Sequence, residues 1–341
     1  MYFRKLIFAS ILVLTSCIEE DLSIIDSPTL VYEAYRSSSG IRPPKLYILN
    51  NLDSTSSLFL EDYQGYDWNG SWCYYTKEFD IRKRHITGID EFVGRIPEYG
   101  SSISVAPNGN FAAFRDGNLI SLLNTSQRQV ISLTSKSDDL YYVLRWSPDS
   151  DKLLVRRGYG IPTGQYVYGS DQYIVYSNLN KPIANLPTPI IPEGEIINLR
   201  DGQWLSDSKR IVFIKNGEIM LYDTETKKSG ILIPTEFYVT HLSLSPDNQH
   251  IVYEETLFRN ESTPEEINRV NLYSLSGDYT TALTNTRIGD IDWLSNNQLI
   301  MIVNGKELLS YRIDSGKLET LTAPLSMNEF IRSVHQVNHS F

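Results

Sequence analysis

A short pattern recurs six times along this chain: an apolar residue, a turn rich in Ser, Pro, Asp and Asn, and a run of β-forming residues. The clearest copies read WSPDS, WLSDS, LSPDN and WLSNN. We use the residue before each turn as an anchor, and the anchors are Trp68, Val105, Trp146, Trp204, Leu244 and Trp293. Successive anchors lie 37, 41, 58, 40 and 49 residues apart. A period near 40 residues indicates an architecture of repeated units.

Each unit reads as four short strands, which we label A to D, with the anchor at the end of strand A. A second marker supports this register, because Asp116-Gly117, Asn216-Gly217 and Asn304-Gly305 follow their anchors by 11 or 12 residues. Asn-Gly and Asp-Gly favour two-residue turns in which both central residues have positive φ, so each pair predicts a hairpin between strands B and C. Repeated four-stranded units of this length predict an all-β protein with the architecture of a β-propeller.

The W/L-S-P-D turns resemble those of TolB-like propellers, and the resemblance extends over nearly all of the chain after its first residues. It implies partner binding in the cell envelope. The chain lacks an evident N-terminal α/β domain like that of TolB, which argues against transferring TolB's own partner to it. Paired GH and WD motifs are absent, so the chain is not a WD-repeat protein in the strict sense. No G-x-S-x-G elbow occurs either, and a hydrolase domain is not expected.

The number of blades depends on how the two ends of the chain are interpreted. Residues 29–60 align with residues 250–284 as strands B, C and D of a unit that has no strand A. Residues 329–337 form an extra strand with no turn after it. We predict a seven-bladed propeller in which 329–337 supply strand A to residues 29–60, because this closes the ring and removes an open edge. The alternative is six blades with both ends packed outside.

The first residues predict a lipoprotein leader. Arg4 and Lys5 precede the apolar run LIFASILVL, which is too short to span a bilayer and leads into LTSC, the pattern of a bacterial lipobox. We predict a signal peptide at 1–16, a lipidated Cys17 with a tether to residue 28, and a single propeller domain at 29–341. The expected location is the outer membrane, facing the periplasm or exposed on the cell surface. The alternative is an ordinary secretory signal with an incidental cysteine.

Composition narrows the range of partners. Without Arg4 and Lys5 of the leader, the chain would carry 29 Lys and Arg against 41 Asp and Glu, with no basic cluster. Nucleic acid requires cationic surfaces, so we exclude it as a partner. With Cys17 lipidated, Cys73 has no cysteine to pair with, and its aromatic neighbours predict a small buried side chain in a strand. We expect the protein to be a monomer.

Three B–C connections are long, at residues 37–44, 157–172 and 256–269, and in a propeller such connections emerge on one face. We predict that this loop-rich face grips an envelope protein, a peptidoglycan fragment or a glycan. Tyrosine supplies flat amphipathic surface and arginine supplies planar donors. The predicted binding residues are Arg156, Arg157, Tyr159, Tyr166, Tyr168, Tyr173 and Arg259. Alternatively, the tyrosines pack the longest loop onto its own blade.

The sequence contains no pattern that identifies catalysis. Its five histidines lack metal-ligand spacing, and we predict no metal, no cofactor and no catalytic residue. Asp149, Asp207 and Asp247 recur in the repeat turns, where local hydrogen bonds explain them. We therefore predict a non-enzymatic binding or scaffold lipoprotein. The alternatives are a lyase or glycosidase with carboxylates or histidines converging at the channel mouth, and a structural ring that organises other envelope proteins.

Overall fold

The computed structural model describes eleven segments of the chain. They are residues 29–36, 44–49, 55–97, 100–134, 140–158, 172–179, 202–257, 267–277, 279–285, 287–321 and 329–337. Within these segments the strands form seven separate antiparallel sheets, six with four strands and one with three. The same segments contain no helix that is long and apolar enough to cross a membrane. The predicted all-β class is confirmed.

The seven sheets are the blades of a propeller, numbered I to VII, and the described chain begins in blade VII. Blade VII contains β1 (Thr29–Arg36), β2 (Lys45–Leu49) and β3 (Ser56–Glu61). Blade I contains β4 (Gly65–Asn69), β5 (Trp72–Lys77), β6 (Asp80–His85) and β7 (Asp90–Arg95). Blade II contains β8 (Gly100–Val105), β9 (Phe111–Asp116), β10 (Leu119–Asn124) and β11 (Val130–Ser132). Blade III contains β12 (Leu140–Trp146), β13 (Leu153–Gly158) and β14 (Gln172–Tyr176).

The remaining blades follow in chain order. Blade IV contains β15 (Gln203–Trp204), β16 (Arg210–Lys215), β17 (Glu218–Asp223) and β18 (Lys228–Ile233). Blade V contains β19 (Tyr238–Leu244), β20 (His250–Leu257), β21 (Ile267–Ser274) and β22 (Tyr279–Thr284). Blade VI contains β23 (Ile288–Ser295), β24 (Gln298–Val303), β25 (Glu307–Arg312) and β26 (Lys317–Leu321). The last strand, β27 (Glu329–Val337), returns to blade VII.

Blade VII closes the ring with strands from both ends of the described chain. Strand β27 pairs antiparallel with β1, from Thr29 opposite Val337 to Arg36 opposite Glu329. The strand order in this sheet is β27-β1-β2-β3. The predicted seventh blade is therefore confirmed, and the six-bladed alternative is wrong. This pairing ties the ends together by main-chain hydrogen bonds, so the two ends of the described chain cannot separate without breaking this strand ladder.

The hydrophobic core is divided into seven layers, each between two neighbouring blades. Trp146 and Leu153 of blade III pack with Ile120 and Leu122 of blade II. Equivalent clusters fill the other six interfaces. Each blade is thus buried on both faces, which explains the consecutive buried residues of strands such as β24. A lone four-stranded blade would expose these faces to water, so the packed ring supplies most of the stabilisation.

The repeated tryptophans join neighbouring blades. The indole Nε1 of Trp146 donates to the carbonyl oxygen of Ser104 at 3.0 Å, and that of Trp204 donates to the carbonyl oxygen of Arg145 at 3.1 Å. Each acceptor directly precedes the anchor of the previous blade. Trp146 and Trp204 therefore fix the spacing of adjacent innermost strands, in addition to filling the core between them.

The recurrent aspartates stabilise the A–B turns. Asp149 accepts a hydrogen bond from the hydroxyl of Ser147, and Asp247 accepts one from the hydroxyl of Ser245 at 2.6 Å. Asp207 accepts the backbone N–H groups two and three residues later, at 2.9 and 3.0 Å. These contacts are the local hydrogen bonds that the Ser-Pro-Asp motif predicts.

The same turns also bond to one another around the ring. In each link a backbone N–H of one turn donates to the side chain of a residue in the next turn. Each accepting residue has a positive φ, between 57° and 61°. The three links are Asn108 N to Ser150 Oγ at 3.0 Å, Asp149 N to Ser208 Oγ at 3.0 Å, and Ser206 N to Asn248 Oδ1 at 3.1 Å. The turns of blades II to V thus form one hydrogen-bonded chain, which makes this side of the ring a firm surface.

The B–C hairpins agree with the prediction in position and differ in detail. Asn216-Gly217 forms the predicted two-residue turn, with φ of 53° and 84°. Asp116 instead pairs with Leu119, so that turn is shifted by one residue and Asp116 ends the strand. The turn at Asn304 has three residues between the paired Val303 and Glu307. Strand register, which depends on long-range pairing, decides these differences.

Candidate functional site

The two sides of the ring differ in how the chain crosses them. One side, the turn face, carries the A–B and C–D turns, and the other side, the loop face, carries the B–C connections and the links between blades. A cavity of about 400 Å³ lies among the innermost strands near the turn face. It touches blades I, II, III and VI, and because blades I and VI are not neighbours it lies on the ring axis. We call it the axial cavity.

Three carboxylates and one guanidinium line the axial cavity, namely Asp67, Asp290, Asp292 and Arg145. Asp67 is held closely by the fold, because Oδ1 accepts the N–H of Trp68 at 2.9 Å and Oδ2 accepts that of Val105 at 2.7 Å. Burial raises the pKa of Asp67, and these hydrogen bonds together with the charge of Arg145 offset part of that rise. The carboxylate of Asp67 therefore joins blades I and II at the axis.

The residue before the anchor is polar in all six blades that have an anchor. These residues are Asp67, Ser104, Arg145, Gln203, Ser243 and Asp292. Gln203 repeats the role of Asp67, since its Oε1 accepts the N–H of Leu244 at 3.0 Å and its Nε2 donates to the carbonyl of Leu242 at 3.1 Å. Both side chains thus reach the innermost strand of the next blade. Polar groups at the axis have a structural function in this ring, which weakens any inference of catalysis from their presence.

A second polar network lies near the loop face of blade V, around two adjacent glutamates that are each 2% exposed. Glu254 Oε1 accepts the N–H of Ile288 at 2.9 Å, and Oε2 accepts the hydroxyl of Thr240 at 2.7 Å and lies 2.9 Å from Nδ1 of His241. Burial alone would raise the pKa of Glu254, but the hydrogen bonds outweigh it and lower the pKa. An ionised carboxylate only accepts, so Nδ1 of His241 carries the hydrogen.

Glu255 is satisfied from the opposite face of the same strand. Its Oε2 accepts Nη2 of Arg269 at 2.6 Å and Nδ2 of Asn271 at 2.9 Å. The guanidinium of Arg269 also lies 3.3 Å from the exposed carboxylate of Glu236. Glu254 and Glu255 together bind the inner strand, the third strand and the next blade into one network near the loop-face ends of β20 and β21. Two buried charges are tolerated because each has several charge-assisted partners.

Blade VII repeats part of this arrangement. Glu33 pairs with Ser333 as Glu254 pairs with His241, and it is 5% exposed. Its Oε1 accepts the hydroxyl of Tyr63 at 2.7 Å. The segments VYEA and VYEE carry both glutamates, so the aligned repeats contained a signal for this buried carboxylate. Neither Glu33 and Glu254 nor the carboxylates of the axial cavity are predictable as buried groups from the sequence, because their burial depends on packing between blades.

Only part of the predicted binding set lies in the described residues. Arg156 is half-buried in β13, and its backbone pairs with Tyr142 on one side and Tyr173 on the other. Arg157 pairs in the same way with Tyr141 and with Gln172. The predicted residues Cys17, Tyr159, Tyr166, Tyr168 and Arg259 lie outside the described residues. The structure therefore places the arginines and Tyr173 on paired strands that lead into the longest connection.

The lengths of the B–C connections divide the blades into two groups. Blades I, II, IV and VI join strands B and C through two or three residues, such as Asn216-Gly217. In blades VII, III and V the corresponding connections span residues 37–44, 159–171 and 258–266. All three leave from strand ends on the loop face. The prediction that these connections form one loop-rich binding face concerns residues that are mostly outside the described part.

Metal-binding arrangements are absent from the described segments. No group of three or more His, Cys, Asp or Glu side chains there is placed to hold a metal ion. Cys73 is buried in β5 with a free thiol, as predicted for a small apolar side chain in a strand. Burial raises the pKa of this thiol, so it stays protonated and unreactive.

Comparison with known proteins supports the fold. No protein-family model matches the chain, and no curated protein matches it significantly in sequence. An oligogalacturonate lyase in complex with manganese matches at a TM-score of 0.59 and 10% identity, over 83% of this chain and 85% of that chain. A putative 6-phosphogluconolactonase from Bacteroides fragilis matches at 0.56 and 11% identity, over 92% and 99%. TolB from Acinetobacter baumannii matches at 0.47 and 20% identity, over 74% of this chain and 63% of TolB.

At these identities the likeness shows the fold. The chain is a seven-bladed β-propeller, the class that the resemblance to TolB-like propellers implied. Its strands, closing blade and inter-blade core are those of this class. Propellers include enzymes and binding proteins, so the function of this ring depends on its particular surfaces.

Proposed function

We propose that this protein is a non-enzymatic binding module of the bacterial cell envelope, anchored by a lipid on Cys17 and gripping its partner with the loop face. The partner is an envelope protein, a peptidoglycan fragment or a glycan. The proposed location is the outer membrane. The lipobox-like segment LTSC supports the anchor, and the observation that carries the binding role is the grouping of the three long B–C connections on one face.

A rigid ring with long connections on one face has the physical properties of a binding scaffold. The turn face is fixed by hydrogen bonds between successive turns. The three long connections on the loop face are longer than is needed to join strands B and C, since four blades join the same strands through two or three residues. Longer connections cost conformational entropy, and such segments on rigid scaffolds commonly carry recognition.

The loop face can be tested without disturbing the blade beneath it. Replacing residues 158–171 by Asn-Gly would join Arg157 to Gln172, which are already paired, in the manner of the hairpin at residues 215–218. We expect the variant to fold and to lose its partner in pulldowns from native membranes. A matched control substitutes Ala for Lys209 and Glu225, an exposed ion pair at the turn face. Full recovery of the partner with the shortened loop would overturn the proposed binding surface.

The anchor requires a separate test. Cys17→Ser in the full chain removes the thiol that would carry the lipid. We expect the wild-type protein to incorporate labelled palmitate and to sediment with membranes, and the variant to do neither. Cys73→Ser is the control, because Cys73 is buried in a strand and should not affect labelling. Labelling that persists in Cys17→Ser would contradict the proposed anchor, and protease treatment of intact cells distinguishes surface from periplasmic exposure.

A second candidate function is an enzyme with its site in the axial cavity. The favouring observation is that three aspartates and Arg145 line one cavity, as a lyase or glycosidase would require. The bonds that tie Asp67 to two backbone amides count against it. Assay of the full chain with oligogalacturonate, with and without Mn²⁺, tests the candidate. Turnover that Asp292→Asn abolishes would support the enzyme, and absence of turnover would reject this substrate class.

A further inference from the structure

A groove separate from the axial cavity runs along the outer rim between blades VII and I. Its volume is about 580 Å³, and it shares no residue with the axial cavity. One wall is β3, the outermost strand of blade VII, and the other is formed by side chains of β5, β6 and β7 of blade I. We call it the rim groove. Its size is within the range of small-ligand sites in proteins.

One wall of the rim groove is apolar. Phe59 of β3 is buried, and the neighbouring Leu58 is 45% exposed, a high value for a large apolar side chain. The guanidinium of Arg84 lies over the ring of Phe59 at 5.4 Å. An apolar strip that remains in water beside a planar donor is suited to the C–H face of a sugar ring or to another flat ligand.

The opposite wall is a fixed array of planar polar groups. Asp90 accepts the hydroxyl of Tyr75 at 2.7 Å and Nε of Arg82 at 2.9 Å. Arg84 is bound less completely, since its Nη1 lies 3.8 Å from Asp90, beyond hydrogen-bond distance, and its side chain is 33% exposed. Asp90, Tyr75 and Arg82 hold one another in position. The guanidinium of Arg84, in contrast, keeps N–H groups that can donate to a ligand. A ligand meeting such an array loses little entropy in ordering it.

The charges of the rim groove are nearly balanced. Its carboxylates are Glu61, Glu78, Asp80 and Asp90. Its cations are Lys77, Arg82 and Arg84. A ligand of one sign would be repelled by about half of this lining, whereas a neutral ligand with many hydroxyl groups can donate to the carboxylates and accept from the cations. The mixed lining and the apolar strip therefore favour a neutral polyhydroxylated ligand.

We infer that the rim groove binds a neutral sugar chain. The groove accommodates a short stretch of one, with a ring face against Leu58 and hydroxyl groups against Arg84 and the ion-paired wall. The inference extends the proposed binding role to a second surface and names its ligand class. Blade III, which carries the longest connection, is not part of the groove, so the two surfaces can be tested with separate variants.

Binding is tested with the full chain in detergent. An array of immobilised glycans covering neutral hexose polymers, N-acetylated amino-sugar polymers, polygalacturonate and polyglucosamine identifies the preferred class, and calorimetry with the corresponding soluble tetramers measures affinity. We expect a neutral tetramer to bind and the acidic and cationic tetramers to bind at least about tenfold more weakly. Preference for a charged polymer, or absence of binding to every neutral glycan, would overturn the inference.

The position of the site is tested with matched substitutions. Leu58→Trp fills the groove and should weaken binding of the neutral tetramer by about tenfold or more. Leu318→Trp is the control, because Leu318 is 43% exposed on β26, the outermost strand of the adjacent blade VI. Arg84→Gln removes the charged planar guanidinium without filling the groove and should also weaken binding. If all three variants keep melting temperatures near that of the wild type and bind the neutral tetramer with equal affinity, the sugar binds outside the rim groove and the inference is wrong.

Discussion

At the scale of single residues, the most informative group is the buried carboxylate of Glu254. It has three donors from two strands, namely the hydroxyl of Thr240 and the ring of His241 on β19 and the backbone N–H of Ile288 on β23. These contacts stabilise the ionised form more than burial disfavours it, and the pKa is lowered. The folded state therefore binds a proton less readily here than the unfolded chain, whose Glu pKa is about 4.3.

The lowered pKa of Glu254 predicts a loss of stability in acid. Its contribution to the free energy of unfolding is complete above the unfolded pKa and disappears as the pH falls through the lower, folded pKa. Glu254→Gln places an amide N–H group against the donors of Thr240 or His241, which then lose their acceptor. The substitution should therefore reduce the free energy of unfolding at pH 7 by about 2 kcal/mol. The stability of the variant should also change less than that of the wild type between pH 6 and pH 3.

Denaturant unfolding at a series of pH values measures both effects of Glu254→Gln. Glu225→Gln serves as the control, because Glu225 is 61% exposed and its ion pair with Lys209 lies in water. We expect this control to follow the wild-type pH profile. An unchanged acid profile in Glu254→Gln would contradict the lowered pKa of Glu254.

At the scale of elements, the anchor tryptophans connect one blade to the next in two different ways. Trp146 and Trp293 are almost equally buried, at 6% and 5% exposure. The indole N–H of Trp146 donates to a carbonyl of blade II. The indole N–H of Trp293 is buried and has no hydrogen-bond partner among the described residues. Trp146 and Trp293 occupy equivalent positions in the repeat and are packed to a similar extent, but within the described part of the chain only Trp146 of the two makes a hydrogen bond to the neighbouring blade.

This difference can be measured with two conservative substitutions. Trp146→Phe removes packing volume and a hydrogen bond, and it leaves the carbonyl of Ser104 without its donor. Trp293→Phe removes similar volume and a polar group that gains nothing from the fold. We expect Trp146→Phe to lower the free energy of unfolding by about 1 kcal/mol more than Trp293→Phe. Urea unfolding of both variants tests this, and equal losses would show that the bond contributes little.

At the scale of the whole molecule, stability depends on closure of the ring. The seven hydrophobic layers each need two blades, and the layer between blades VI and VII includes Ile331 of β27. Without β27, Tyr32 and Leu30 of β1 would lose their innermost neighbour strand. The two blades beside the opening would then be exposed to water along one strand.

Truncation tests the importance of closure. Ending the chain after residue 328 removes β27 and should lower Tm by more than about 10 °C or prevent folding, because a strand ladder and part of a core layer disappear together. Ending the chain after residue 337 keeps β27 complete and should leave Tm close to that of the wild type. Thermal unfolding of the two truncated chains makes the comparison. Equal stability of both would contradict the role assigned to the shared blade.

The class of the fold was predictable because its signals are local. Each Ser-Pro-Asp turn and each Asn-Gly pair acts within a few residues, and Asn216-Gly217 forms the hairpin that its dihedral preferences favour. The shift of the turn at Asp116 was not predictable, because it depends on pairing with β8 and β10. The lipid anchor and the loop tyrosines remain predictions, since they lie outside the described residues or lack described side chains.

The sequence by itself determined the repeat, the strand-forming segments and the match between its two ends, because turn chemistry and alternation act over short distances. The tertiary structure alone decided which polar groups meet. Asp67 and Asp292 share a cavity only because the ring closes, and the rim groove exists only because β3 lies beside blade I. Such contacts join residues far apart in sequence, and their formation depends on the packing of whole blades, which no local pattern encodes.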